Sequence, residues 1–249
     1  MLAVERQNKI LAIVQKQECV TVKMLCSHIF ASEATIRRDI REMAAKNVIK
    51  KVHGGITVHS GSNQDIPALI RFNTNIEKKK HIASIALRYI VDSNTLFLDA
   101  SSTCAYLASL LHRFSHISIV TNGLHSMNIL NKTPDITVFV CGGVITGQSA
   151  LVGEMAVETV ERFRADVLFM SCGGLSLAAG ITEAAQAQAA VKRAMIKNAR
   201  KRILLCDSDK MQSEYFCKIC GFDEIDAVIT DSRPPEPIME KIGSRCVYE

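Results

Sequence analysis

Six short apolar runs, each ending in small or polar residues, constrain this 249-residue chain more than any other feature. They read NTLFLDA, HISIVTN, ITVFVCGG, DVLFMSCGG, RILLCDS and AVITD, all beyond residue 90. A run that is apolar at nearly every position suits a strand buried on both faces. Between most of the runs lie helical stretches, including KKKHIASIALRYI, CAYLASLLHRF and QAQAAVKRAMIKNAR. Strands alternating with helices predict an α/β body with a mostly parallel sheet covered on both sides. Ligands of such sheets bind beyond the C-terminal strand ends, so the residues just after each run are the first site candidates.

The first sixty residues read differently. VERQNKILAIVQKQ places Ile10, Leu11, Ile13 and Val14 at helical spacing, and TVKMLCSHIF repeats the pattern with Val22, Leu25, Cys26 and Ile29. SEATIRRDIREMAAKN gives a third helix with Ser32 as its N-cap. VIKKVHGGITV then alternates around Gly54-Gly55, a hairpin signal. The polar stretch HSGSNQDIP marks a break. The expected division is a small unit of three helices and a hairpin at 1–58, a linker at 59–74 and an α/β body at 75–249.

Charge follows the same division. Residues 1–60 hold six Lys and four Arg against four Glu and one Asp, and this +5 is the net charge of the whole chain. The positive charge therefore belongs to the small N-terminal unit, as expected of a segment that meets an anionic partner. No apolar run reaches the roughly 18 residues of a membrane span, and MLAVERQNKI lacks a signal-peptide core. The expectation is a soluble, cytoplasmic chain with no membrane partner. Its nine cysteines then read as reduced thiols, mostly small buried hydrophobes. Cys217 and Cys220 form a lone C-x-x-C, short of the four ligands structural zinc wants, so no metal site is expected.

Two helices, a break and a third helix fit helix-turn-helix geometry, with the third helix set to enter a DNA major groove. At about 100° per residue, Ile36, Ile40 and Met43 share an inward arc. Ala34, Arg38 and Arg41 lie opposite, flanked by Thr35, Arg37 and Glu42, while Asp39 and Glu42 are expected to orient the arginines. On an isolated helix these arginines would read as a solvated face. The preceding helix, the basic hairpin and the confined charge shift the reading to DNA. Arginine binds phosphate or the guanine O6/N7 edge, and Ala34 permits close approach to a thymine methyl. Ser32 and Thr35 suit phosphates or bases, while Lys50, Lys51 and His53 would form a basic wing.

VTVKMLCSHIFASEATIRRDIREMAAKNVIKKVHGGITV resembles the winged helix-turn-helix of the DeoR family of bacterial transcriptional regulators. The resemblance rests on ASEATIRRDIREM followed by KVHGG, and implies DNA contacts from Ser32, Thr35, Arg37 and Arg38.

In the body, Asp99 ends a strand and Ser101, Ser102 and Thr103 open a helix, a natural phosphate cradle that could equally be a simple helix cap. Similar loops carry Thr121-Asn122-Gly123, Gly142-Gly143, Gly173-Gly174, Gly180-Ile181-Thr182-Glu183, Lys192, and Asp207 with Lys210. Together they suit a small phosphorylated polyol. Residues 75–232 also resemble the DeoR-type effector-sensing domain, whose fold is similar to ribose-5-phosphate isomerase and glucosamine-6-phosphate deaminase. The resemblance implies a phosphorylated sugar effector, with Asp99, Ser101, Ser102, Thr103, Asn122, Gly143, Gly174 and Lys210 in the pocket. The residues themselves add Thr121, Gly142, Glu183 and Lys192. The chain departs from the family pattern at Ser101, Gly173, Gln186-Ala187-Gln188 and Met211.

The expected function is a homo-oligomeric, dimeric or tetrameric, operator-binding repressor of a sugar operon, with no cofactor beyond the phosphorylated sugar effector. The alternative is a sugar-phosphate isomerase or deaminase drawing on Asp99, Glu183 or Asp207. The sequence offers that reading no acid–base set, so no catalytic residue is expected.

Overall fold

Helical stripes close the N-terminal core. The computed structural model describes residues 2–14, 17, 19–45, 49–52, 55–58, 68–147 and 149–249. It opens with α1 (Ala3–Val14), α2 (Val22–Ile29) and α3 (Glu33–Ala45), then the antiparallel hairpin β1 (Ile49–Val52) and β2 (Gly55–Val58). Ile10, Leu11, Val14, Leu25, Ile29, Ile36, Ile40 and Met43 come from the three helical stripes and meet Ile49 and Ile56 of the hairpin in one core. Thr21 caps α2 by accepting the Met24 N–H at 3.2 Å, and Ser32 caps α3 by accepting that of Thr35 at 3.3 Å. Val20 adds a bridge to the hairpin, exchanging two 2.9 Å backbone bonds with Ile56. A Cβ at Gly55 would come within 2.6 Å of the Val20 carbonyl, which explains the glycine. Gly54, the other half of the hairpin signal, lies outside the described residues.

The chain divides into two compact units, Met1–Thr74 and Asn75–Glu249. Part of the expected 59–74 linker is a helix, α4 (Ala68–Asn73), and its Ile70 is buried in the N-terminal core. The polar loop signal ends at Pro67, and proline just before a helix suits helix initiation rather than continued loop. His59–Pro67 themselves lie outside the described residues.

In the C-terminal unit all six apolar runs are strands of one parallel sheet. In chain order it holds α5 (Ile76–Ala86), β3 (Thr95–Leu98), α6 (Ser102–Ala108), β4 (Ile117–Thr121), α7 (Leu124–Leu130) and β5 (Ile136–Val140). The hairpin β6 (Val144–Thr146) and β7 (Ala150–Val152) leads to α8 (Glu154–Glu161) and β8 (Ala165–Met170). Next come β9 (Gly174–Ser176), β10 (Gly180–Glu183), α9 (Gln186–Lys197), β11 (Ala199–Leu205) and β12 (Cys217–Cys220). The last elements are β13 (Ala227–Ile229), α10 (Glu236–Ile242) and β14 (Cys246–Val247). The seven-stranded sheet runs β14-β13-β11-β8-β3-β4-β5, and β12-β10-β9 form a small antiparallel sheet beside it.

Strand residues alternate between two cores. Leu96, Leu98, Ile119, Phe169 and Leu205 pack with α5, α6 and α7, while Phe97, Val120, Leu168, Met170 and Leu204 pack with α8, α9 and α10. Each fully buried side chain of this size contributes about 1.5–3 kcal/mol, so both helical layers are firmly held. From β3 the chain winds outward through β4 and β5, then returns to place β8 on the other flank of β3. The sheet's direction of growth reverses at that seam, so the strand ends of β3 and β8 form the crevice where such folds bind ligands.

Candidate functional site

The N-terminal unit presents a basic cleft. A depression of about 960 Å³ is lined by Lys23 of α2, Arg37 and Arg41 of α3 and Lys51 of β1, over a floor that includes Ile40 and Ile56. Ala34 and Arg38 are exposed on α3, Ser32 is exposed just before it, and Lys50 is exposed on β1. Thr35 is half-buried, with its hydroxyl 2.9 Å from that of Ser32. His53 lies outside the described residues. The arginines differ in their engagement. Arg37 pairs with Glu33 at 2.6 Å, an exposed pair worth a few tenths of a kcal/mol that a stronger anion can displace. Arg41 donates to the Arg37 carbonyl at 3.3 Å. Arg38 has no protein partner among the described residues. Lys23 carries no signal of its own in the sequence, although it stands beside Val22 at the edge of the α2 stripe.

Asp39 and Glu42 do not orient the α3 arginines, contrary to expectation. Asp39 is fully buried and accepts both Nε (2.5 Å) and Nη2 (3.1 Å) of Arg6, while Glu42 accepts from the Gln7 amide at 2.9 Å. Both acids anchor α1 to α3. Asp39 falls between Ile36 and Met43 on the helix, so it faces the core, where only a partner from another element can reach it.

At the seam of the large sheet the charged residues converge. Asp99 follows β3 and is buried; one oxygen accepts the Ser101 N–H at 2.9 Å and the other accepts the Ser171 N–H, across the seam after β8, at 3.0 Å. Lys192 of α9 lies 2.9 Å from Asp99, 2.8 Å from Glu183 and 2.7 Å from the Ser171 carbonyl. An ammonium has three N–H donors, and these three acceptors use them all. Burial opposes the Lys192 charge, but Asp99 and Glu183 outweigh it and raise its pKa above the usual lysine value. Burial likewise pushes the Asp99 carboxyl up, and Lys192 together with the Ser101 and Ser171 bonds brings it below the usual value. Lys192 and Glu183 are therefore where expected but turned toward each other, forming the wall behind the crevice.

Lys210 is the more available cation. Its side chain is 22% exposed, donates to the Ser171 hydroxyl at 2.9 Å and lies 3.4 Å from Asp207. Burial works against its charge, and Asp207 restores it, leaving the pKa raised. At the same sheet edge stand buried polar atoms without a hydrogen-bond partner: Thr103 Oγ1, Asn122 Oδ1 and Ser126 Oγ, and Asp207 Oδ2, which has only the long ion pair to Lys210, all in strand-end loops or first helical turns. Such atoms cost about 1–3 kcal/mol each when unsatisfied, so their concentration at one edge marks a place built for a polar guest. Ser102 is buried beside Thr103 at the start of α6, and Ser101 caps that helix through Cys104 N–H at 3.1 Å.

Other expected residues have packing roles. Thr121 is engaged on both sides, donating to the Leu98 carbonyl at 2.8 Å and accepting the Gly123 N–H at 3.0 Å. A Cβ on Gly143 would lie 2.3 Å from the Val152 carbonyl, and one on Gly174 would lie 2.3 Å from that of Ser213. Those glycines let loops close, and Gly142 lies against Met155. Ser171 and Ser126 do not stand out in the sequence. Ser171 joins Asp99, Lys192 and Lys210, and its position just after the DVLFM strand is the signal that could have found it.

Comparison with known proteins decides the family. Residues 6–61 match the DeoR-like helix-turn-helix domain, and residues 74–232 match the DeoR C terminal sensor domain. The chain belongs to the DeoR family. It is 33% identical to the HTH-type transcriptional regulator GolR of Listeria innocua, over 97% of this chain and 95% of that one. It is also 31% identical to the Escherichia coli glycerol-3-phosphate regulon repressor, over 96% and 95%. Against the lactose phosphotransferase system repressor of Staphylococcus epidermidis the identity is 30%, over 96% of each. Ribose 5-phosphate isomerase A of Methanocaldococcus jannaschii aligns at a TM-score of 0.42 and 12% identity over 55% of each chain, too distant a likeness for any argument. This DeoR-family chain thus carries its basic cleft on the helix-turn-helix and its buried polar cluster at the strand ends of the sensor domain. Among the described residues no helix is long and apolar enough to cross a membrane.

Proposed function

We propose that this DeoR-family regulator represses a sugar or carbohydrate operon and is released by a phosphorylated sugar held at the β3–β8 seam. The observation that carries the reading is the concentration of unpartnered buried polar atoms at the sheet edge that holds Lys210. Thr103, Asn122 and Ser126 supply hydroxyl and amide groups, Lys210 supplies the charge, and the first turn of α6 offers N–H groups without helical acceptors. A phosphate would rest between α6 and Lys210, and its polyol would extend toward the Asp99–Lys192–Glu183 wall.

On the DNA side, α3 enters the major groove with Arg38 foremost, while Arg37, Arg41, Lys23 and Lys51 line the approach to the backbone. Two copies of the chain, as a dimer or part of a tetramer, would read paired half-sites. An isomerase would need a free carboxylate as base, whereas Asp99 and Glu183 are both tied to Lys192, and Asp207 is held by Asn75 on one oxygen and faces Lys210 with the other. The test is fluorescence anisotropy on DNA from the chain's own promoter, with and without a panel of sugar phosphates. A specific complex that one sugar phosphate dissociates is expected. Binding that ignores sequence, or a specific complex that no sugar phosphate alters, would count against the reading.

A further inference from the structure

The first residues of the sensor unit grip the loop that carries Lys210. Asn75 stands directly after the unit boundary at Thr74 and adopts a left-handed backbone, with φ 54°. Its amide donates to Asp207 Oδ1 at 3.0 Å and to Asp209 Oδ2 at 2.8 Å. Three residues on, Lys78 reaches the Ser208 hydroxyl at 2.8 Å and Asp209 Oδ1 at 2.6 Å, with Asp231 at 3.8 Å. Asp231 itself accepts the Ser208 N–H at 2.7 Å and its hydroxyl at 2.9 Å. The whole 207–210 turn is thus fastened to the start of α5, 130 or more residues away in sequence.

Asp207 stands between two claims. Oδ1 belongs to Asn75, whereas Oδ2 is buried without a hydrogen-bond partner and faces Lys210 across 3.4 Å. A phosphate that draws Lys210 toward itself would weaken that long ion pair. It would leave Asn75 as the side chain that holds the Asp207 carboxylate. One path of atoms then leads from the guest through Lys210 and Asp207 to the first peptide of the sensor unit. From there the chain continues into Thr74, whose hydroxyl donates to the Ile70 carbonyl of α4 at 2.8 Å.

We propose that Asn75 is a positioning residue that couples occupancy of the Lys210 site to the conformation of α4, with Lys78 holding the turn on which that coupling depends. This deepens the sugar-phosphate reading and rests on it for the identity of the guest. A coupling residue biases two states without contacting either ligand, so removing it severs the response and spares both binding events.

The test is hydrogen–deuterium exchange on the full chain, followed in peptides covering residues 68–74 and residues 99–105. Wild type, Asn75→Gly and Lys78→Met are compared with and without inorganic phosphate. Each is also compared in a Lys210→Met background, which imitates removal of the Asp207 ion pair and needs no ligand. Asn75→Gly keeps the left-handed backbone available while deleting the amide. Expected is a change of about fivefold or more in exchange across 68–74 on Lys210→Met. Phosphate should move the wild type the same way, and both responses should disappear in Asn75→Gly. Protection of 99–105 by phosphate should survive in that variant within about twofold. If phosphate protects nothing, the sugar-phosphate reading fails while the Lys210→Met comparison still decides the coupling. An Asn75→Gly chain that keeps the full Lys210→Met response overturns the proposal. So does a wild type whose 68–74 exchange ignores Lys210→Met, or a variant that loses the response only by unfolding, seen as faster exchange throughout the sheet.

Discussion

Replacing Lys192 by methionine keeps most of the unbranched side chain and removes the charge between two buried carboxylates. The consequences for those two acids differ. Asp99 retains two backbone donors, the Ser101 and Ser171 N–H groups, and stays ionised. Glu183 retains the N–H of its neighbour Ala184 at 3.1 Å among its bonds and is the acid expected to take up a proton. Neutralising a carboxyl of ordinary pKa about 4.3 at pH 7 costs about 3.7 kcal/mol at about 1.36 kcal/mol per unit. That sets the scale of the loss and agrees with the roughly 3–5 kcal/mol found when one member of a buried ion pair is deleted. At about 2–4 °C per kcal/mol for a unit of this size, the sensor unit should melt roughly 7–15 °C lower.

The same reasoning fixes the pH dependence. At pH 5 protonating Glu183 costs about 1 kcal/mol, so the deficit of Lys192→Met should shrink by about 2.7 kcal/mol between pH 7 and pH 5. In the wild type Asp99 is held below its usual pKa, so its contribution is present at neutral pH and lost only as the pH falls through the folded value. Urea denaturation followed by circular dichroism at both pH values measures each deficit. Lys192→Met combined with Glu183→Gln should recover most of the loss at pH 7. A deficit that does not change with pH, or a double variant no better than the single one, would refute the assignment of a charged triad.

Arg38→Ala should weaken operator binding by about 1–3 kcal/mol without changing the melting temperature, and Lys51→Met should flatten the log–log salt dependence by about 0.9 for each phosphate left unneutralised; anisotropy across a salt series reads both. Asp39→Asn should destabilise the N-terminal unit by about 3–5 kcal/mol by removing the buried charge that Arg6 meets, and Arg6→Met with Asp39→Leu should regain much of it in denaturant titrations. Gly174→Ala should cost about 1–3 kcal/mol because its methyl meets the Ser213 carbonyl, seen as a drop of several degrees in the melting temperature.

The elements visible in the sequence were those with a period or a sustained apolar run. Six of the seven strands of the large sheet and the first three helices of the N-terminal unit are of this kind. β14 is two residues long, and β6, β7 and β9 span three each, too short for alternation to register. Helix α4 was hidden behind a strong loop signal. The site was legible as a set of strand-end residues and not as a geometry. Lys192 reads as one basic residue on an amphipathic helix, and nothing local announces that Asp99, so far away in sequence, will be within hydrogen-bond distance. Asp39 shows the same blindness. Its helical angle pointed to the core, but its partner Arg6 lies 33 residues earlier.

The seam between β3 and β8 has a consequence for how the molecule is made. It pairs Leu96–Leu98 with Val167–Phe169, and Asp99 reaches across it to Ser171. A ribosome must therefore add about seventy residues after β3 before that half of the crevice exists, roughly 4–14 s at ordinary elongation rates. The N-terminal unit, built within the first 74 residues, can fold long before that. Each new chain thus passes through an interval in which the basic cleft is finished and the sensor is not. In a cell where transcription and translation share a compartment, a nascent chain could meet DNA before it could answer to any effector.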